Sequence, residues 1–117
     1  MKKIIFYSYL KCSTCRKAEK WLKSKDFEFQ LIDIVKEPPL VNYLNLALKQ
    51  YSDDKKRIFN TRGKAFKNVD LDIDGLSKEK IIQLLLSDGK LIKRPFLVYK
   101  EKVILGFNEI EYAKQFI

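Results

Sequence analysis

Both cysteines of the chain fall in one stretch, Tyr7-Ser8-Tyr9-Leu10-Lys11-Cys12-Ser13-Thr14-Cys15-Arg16-Lys17. An apolar run, Ile4-Ile5-Phe6, precedes it, and a helical pattern follows. Lys3 to Tyr7 reads as a buried strand, β-branched and aromatic. From Ser13 to Ser24 the apolar positions Cys15, Ala18, Trp21 and Leu22 recur at helical spacing, while Arg16, Lys17, Lys20 and Lys23 fall mostly on the other side. Phe27 to Ile34 then reads as a second strand, parallel to the first because a helix joins them. The expected unit is strand, helix, strand with a right-handed crossover. It puts Cys12 at a helix start, where unpaired N–H groups and the positive end of the helix dipole favour a thiolate. Lys11 and Arg16 add positive charge there. Cys15 sits one turn further on, on the same face and within disulfide reach.

The remainder divides into a helical middle and a β-hairpin end. Pro38-Pro39 stops the second strand. Leu40, Tyr43, Leu44, Ala47, Leu48 and Tyr51 then follow a helical period. Ser52-Asp53-Asp54 is placed to cap a short helix over Lys55 to Phe59. Asn60-Thr61-Arg62-Gly63 reads as a turn, with Gly63 free to adopt a left-handed conformation. Ser77 starts a helix that carries Ile81, Ile82, Leu84, Leu85 and Leu86 and ends at Asp88-Gly89. Phe96-Leu97-Val98-Tyr99 and Val103-Ile104-Leu105 flank a turn at Lys100-Glu101-Lys102 and read as an antiparallel hairpin. Gly106-Phe107 breaks it. Asn108 caps a last helix, with Glu111 at the capping-box position and Ile110, Ala113, Phe116 and Ile117 on its apolar face.

With 117 residues the chain suits a single domain, residues 1–117, with a helical insertion at about 40–87. Hydrophobic residues make up 46% and charged residues 33%, enough for a packed core and against disorder. No apolar run approaches the ~18 residues of a membrane span. The start, Met1 to Lys11, is only faintly like a secretory leader: Ser8 interrupts its apolar run and no small-residue cleavage site follows. It reads as a core strand, and the protein as cytoplasmic. A lone CxxC in that setting reads as a redox pair or half a metal site. With no histidine and no second CxxC, a four-ligand zinc site within one chain is not expected, and a histidine general base is excluded. The net charge of +9 favours anionic partners, but Asp and Glu are interspersed with the lysines, so the plainer reading is charge spread over solvated faces. No DNA-binding motif accompanies it, and direct nucleic-acid binding is not expected.

This order of elements resembles the thioredoxin fold, and more closely the arsenate reductase (ArsC)/Spx family, a glutaredoxin-like group with a helical insert. The likeness rests on Lys11-Cys12-Ser13-Thr14-Cys15-Arg16-Lys17, Phe59-Asn60-Thr61-Arg62-Gly63, Asp88-Gly89-Lys90-Leu91-Ile92-Lys93-Arg94-Pro95 and Leu105-Gly106-Phe107-Asn108-Glu109. It implies an α/β thioredoxin-like fold: a four-stranded mixed sheet, with the insertion between a βαβ half and a ββα half. It also implies that Cys12 matches the nucleophile that attacks an oxyanion in the arsenate-reducing members, that Arg62 and Arg94 match anion-holding arginines, and that Pro95 is a cis proline beside the active cysteine. Arg16 and Thr14 lie at the same helix start, Arg16 as a further anion or substrate contact and Thr14 as a cap or a substrate contact. Two departures stand out. Gly106 occupies the place of a third arginine of the reductases, and Cys15 is a second thiol those reductases usually lack.

The function this implies is a cytoplasmic thiol–disulfide redox protein, a candidate thiol oxidoreductase, with Cys12 as nucleophilic thiolate and Cys15 as resolving thiol. No bound cofactor or metal is expected. Glutathione, glutaredoxin or thioredoxin would be the electron donor. One alternative is an Spx-like redox-sensing transcriptional regulator that docks on the C-terminal domain of the RNA polymerase α subunit. Another is a glutathione- and glutaredoxin-dependent arsenate reductase, against which Gly106 counts.

Overall fold

A computed structural model describes residues 3–117. Met1 and Lys2, the start of the faintly leader-like stretch, lie outside the described residues. The strands are β1 (Ile4–Ser8), β2 (Phe29–Asp33), β3 (Phe96–Tyr99) and β4 (Lys102–Leu105). They form one mixed sheet in the order β2-β1-β3-β4. β1 runs parallel to β2, while β3 is antiparallel to both β1 and β4. The helix α1 (Ser13–Ser24) joins β1 to β2, and α5 (Glu109–Phe116) follows β4. Between β2 and β3 lie α2 (Val41–Gln50), α3 (Lys64–Lys67) and α4 (Lys78–Ser87), with three 3-10 turns among them. The fold is the expected thioredoxin-like α/β arrangement.

Both faces of the sheet are covered, which is why β1 and β3 read as unbroken apolar runs. Ile4, Phe6, Leu97 and Ile104 meet Ala18, Trp21 and Leu22 of α1 and Tyr112 and Phe116 of α5. Tyr7, Phe96, Val98 and Val103 on the opposite face meet Leu44 and Leu48 of α2 and Ile81 and Leu85 of α4. Successive strand residues alternate between the two clusters, as the pleat requires.

The last helix buries Phe116 as expected and packs Ala113 beside it, but Ile110 and Ile117 stay outside and Tyr112 joins the core instead. Tyr112 and Phe116 are buried, whereas Ile110 is 70% and Ile117 79% exposed. The aromatic pair sits one turn apart and packs edge-on at 5.4 Å, and both rings reach Trp21. Asn108 does cap this helix, its Oδ1 accepting from the Glu111 N–H at 3.0 Å. Gly63 is also corrected: its φ is −79°, an ordinary conformation, and a Cβ there would lie 2.6 Å from Asn60 Nδ2. Space, not a left-handed turn, is the reason for glycine. In the β3–β4 turn it is Lys100 (φ 48°) and Glu101 (φ 63°) that take the left-handed region, and Lys102 already belongs to the strand.

One edge of the sheet is capped by a side chain. At β4, Gln50 from the end of α2 acts as a stand-in peptide: its Nε2 donates to the Val103 carbonyl at 2.6 Å and its Oε1 accepts from the Val103 N–H at 2.9 Å. Gln50→Ala strips both bonds from a partly buried backbone, and urea denaturation should show a loss of about 1–2 kcal/mol. An unchanged midpoint would mean that water replaces the amide at no cost.

Candidate functional site

β1 delivers the chain to a tight loop that starts α1. The Cys12 N–H donates to the Tyr9 carbonyl at 3.0 Å, and the Cys12 carbonyl accepts from Arg16 N–H at 3.2 Å. Cys12 itself is the N-cap, with extended backbone at φ −103° and ψ 110°. Its Sγ accepts from the Cys15 N–H at 3.2 Å, satisfying one of the open donors of the helix end. The capping role open to Thr14 and Ser13 in the sequence therefore belongs to the sulfur of Cys12. Both cysteines are free, Cys12 half-exposed and Cys15 buried.

Cys15 faces the core from the first turn of α1 and is 1% exposed. Burial, and then its hydrogen bond with Cys12, push its thiol up from 9.0 to about 12, against smaller opposing contributions from Tyr9 and Ser8. Cys15 is thus a neutral thiol near pH 7. A thiol whose folded pKa is raised keeps its proton while the unfolded chain loses it. Its contribution to stability is complete below the unfolded value and is lost as pH rises from about 9 toward 12. Unfolding free energy of the reduced protein should therefore fall above pH 9 by up to about 1.4 kcal/mol per pH unit. Urea titrations from pH 8 to 10 should show a flatter profile for Cys15→Ala. Parallel profiles would remove Cys15 as the cause.

The Arg94–Pro95 peptide is cis and precedes β3. Arg94 lies over the ring of Tyr9 with its guanidinium carbon 4.9 Å from the centroid. Tyr9 is the residue whose carbonyl holds the Cys12 N–H, so Arg94 is fixed next to the cysteine loop. Its Nη1 is buried with no hydrogen-bond partner among the described residues. Arg16 is exposed and donates from Nη1 to the Leu10 carbonyl at 2.9 Å, bracing the cysteine loop from outside.

Arg62 lines a groove of about 740 Å³ with Arg57, Lys56 and Lys93. The segments that carry Arg62 and Lys93 are tied: Phe59 bridges Ile92, the Asn60 N–H donates to Leu91, and the Lys93 N–H donates to Ile58, the last two at 2.8 Å. Lys93 and Arg94, adjacent in sequence, thus serve the groove and the cysteine loop respectively. Arg57 and Lys93 escaped the sequence reading: Arg57 sits in a lysine-rich turn, and Lys93, though inside the segment that ends at Arg94-Pro95, was passed over for the arginine. Gly106 takes φ 72°, donates its N–H to the Pro95 carbonyl at 2.9 Å and accepts from the Tyr112 hydroxyl at 2.6 Å. The stem of Lys93 lies 3.4 Å from where a Gly106 Cβ would be. An arginine at position 106 would need a strained backbone and that space. Among the described residues no three His, Cys, Asp or Glu side chains gather to hold a metal ion, and no helix is long and apolar enough to cross a membrane.

Comparison with known proteins places these features in company. The ArsC family model matches residues 7–115. The chain is 38% identical over 113 residues to the uncharacterized protein YusI of Bacillus subtilis (strain 168), covering 95% of this chain and 96% of that one. It is 31% identical over 111 residues to the global transcriptional regulator Spx of Lactiplantibacillus plantarum, covering 95% of this chain and 84% of Spx. Among solved structures, a possible arsenate reductase from Streptococcus mutans UA159 superimposes with a TM-score of 0.88 at 34% identity, covering 99% of this chain and 100% of that one.

Proposed function

Since this chain belongs to the ArsC family, we propose that within it the protein works as a thiol–disulfide redox protein in which Cys12 attacks and Cys15 resolves. The observation that carries this is the unequal pair: a half-exposed sulfur that accepts the Cys15 N–H at the start of α1, and a buried thiol held protonated behind it. The Cys12 thiolate attacks one sulfur of a disulfide, whose S–S bond breaks to release one half as a thiolate. The other half stays on Cys12 as a mixed disulfide. Cys12 then no longer carries the charge and hydrogen bond that help raise Cys15. The Cys15 thiol becomes easier to ionise as its turn comes, gives its proton to solvent and attacks Cys12 Sγ. The second half leaves as a thiolate, and the protein has lost two electrons to the substrate. Arg94, with its free Nη1, favours a substrate carrying an anionic group near the sulfur.

Cys15→Ser separates the two steps. Incubated with a small disulfide, this variant should accumulate a Cys12 mixed disulfide visible as added mass, while the parent protein turns over to the internal disulfide. A variant that turns over like the parent would remove Cys15 from the mechanism.

The Spx-named relative supports a second reading, in which the same pair is a switch on a regulator that docks on the C-terminal domain of the RNA polymerase α subunit. Oxidised and reduced forms that both fail to bind the purified α domain at low salt would reject it. Dedicated arsenate reduction ranks third. Its third arginine is replaced by a glycine whose backbone is tied to Pro95 and Tyr112. Glutathione, glutaredoxin and thioredoxin are the electron donors to test, in the cytoplasm that a free CxxC suits.

A further inference from the structure

Tyr112 carries a buried hydroxyl that the steps above do not use. Its ring lies in the core and packs against Trp21, Phe107 and Phe116. A phenylalanine would make the same three ring contacts. Taking a hydroxyl out of water costs free energy unless it finds a partner. Here the partner is the Gly106 carbonyl, which accepts at 2.6 Å in a bond shielded from solvent. Burial first, and then the charge that Cys15 would carry, push the phenol above its ordinary range, so it stays a proton donor.

Gly106 passes this contact on. The ladder between β3 and β4 ends with Phe96 opposite Leu105. One rung further, the Gly106 N–H donates to the Pro95 carbonyl at 2.9 Å. Proline has no N–H, so its carbonyl is the backbone group by which a neighbouring strand can hold it. Pro95 is joined to Arg94, whose guanidinium carbon lies 4.9 Å from the centroid of the Tyr9 ring. The Tyr9 carbonyl in turn accepts from the Cys12 N–H at 3.0 Å. Each link from Tyr112 to Cys12 is thus a hydrogen bond, a stretch of covalent chain or a cation resting on a ring.

We infer that Tyr112 is a positioning residue: its hydroxyl holds the Gly106 backbone, which holds Pro95 and so keeps Arg94 against Tyr9, beside the loop that carries Cys12. The inference rests on the redox reading for its purpose, which is a fixed positive charge next to the loop of the attacking cysteine. Gly106, where the reductases carry an arginine, serves here through its backbone by steering Arg94.

Tyr112→Phe removes one oxygen and keeps every ring contact, and a cooperative thermal melt checks that the variant is folded. The reduced protein is alkylated with iodoacetate, an anion, and with iodoacetamide, its neutral counterpart, and the Cys12 adduct is followed by mass. A cation held near Cys12 speeds the anionic reagent relative to the neutral one. The ratio of the two rate constants should fall by about twofold to threefold in Tyr112→Phe at low salt, the effect of shifting one screened charge by a few Å. A general loosening of the fold changes both rates and leaves the ratio, and Arg16, held to the Leu10 carbonyl, is common to every variant. Arg94→Gln should lower the ratio at least as far, and Tyr112→Phe added to it should lower it no further. Replacing Tyr112 by para-aminophenylalanine, which regains a donor, should restore the ratio. A ratio unmoved by Tyr112→Phe or by Arg94→Gln, a further fall in the double variant, or no recovery with the amino group overturns the inference. Alkylation needs no disulfide, so the two claims separate. If the ratio behaves as expected and hydroxyethyl disulfide is not reduced, the positioning role stands and the redox reading alone fails.

Discussion

Cys12→Ser should lower disulfide-reductase activity by about three orders of magnitude or more while leaving the fold intact. The hydroxyl that replaces Sγ is not ionised near neutral pH and is a poor nucleophile for sulfur. It remains a good acceptor for the Cys15 N–H, because serine is among the preferred N-caps. The stability change should therefore stay within about 1 kcal/mol, and the loss of rate can be assigned to chemistry. Initial rates with hydroxyethyl disulfide, alongside thermal melting, measure both. A Cys12→Ser protein with the parent's full rate would sink the proposed mechanism, and no rearrangement of roles would rescue it, since Cys15 is buried and held protonated. The two serine variants should also differ in kind: Cys12→Ser forms no adduct, whereas Cys15→Ser stops with one in place.

Gly89→Ala should be strongly destabilising, costing about 3 kcal/mol or more. Gly89 is buried between the end of α4 and the 3-10 turn that leads to Leu91. A Cβ there would run into the Ile34 carbonyl and the Val35 Cα, both backbone atoms. Neither can swing aside as a side chain does. The Ile34 N–H donates to the Ser8 carbonyl at 2.9 Å, so a displaced Ile34 also pulls at the loop that leads to Cys12. Gly63→Ala provides the contrast, because its Cβ meets the movable end of the Asn60 side chain. That substitution should cost no more than about 1 kcal/mol. Urea unfolding of both variants measures the difference, and equal midpoints would show that Ile34 and Val35 yield more easily than a packed backbone should.

The sequence was most legible where one local rule suffices. The apolar stripe of α1 and its Ser13–Ser24 bounds follow from helical spacing alone, and the strands follow from short apolar runs bounded by turn residues. Ser77 and Asn108 announce their helices because a side-chain cap needs only local geometry. What escaped depends on partners distant in sequence. Ile110 and Tyr112 are both apolar enough for a core, and only the position of Trp21 decides between them. Gly89 looks like a helix stop, while its need for space comes from Ile34, 55 positions earlier in the chain. Thr14 and Ser13 are stronger capping types than cysteine, so the role of Cys12 Sγ was hidden by residue preference. At the candidate site, Cys12, Cys15, Arg94 and Pro95 were legible as a motif set. The groove that Arg62 lines with Arg57 and Lys93 was not, since it depends on where the Phe59–Ile92 bridge directs the loop.

The Gln50 amide also governs how copies of this chain can add to one another. A sheet with two open margins can template its own extension without end, which is the route to fibres. Here the β4 margin is plugged by Gln50, and β2 is the other outer strand. A strand added at β4 would have to displace the Gln50 amide from Val103. A net charge of +9 on each copy opposes even that step. One side chain at the end of α2 thus occupies the Val103 backbone groups that an added strand would need, and its removal would free them.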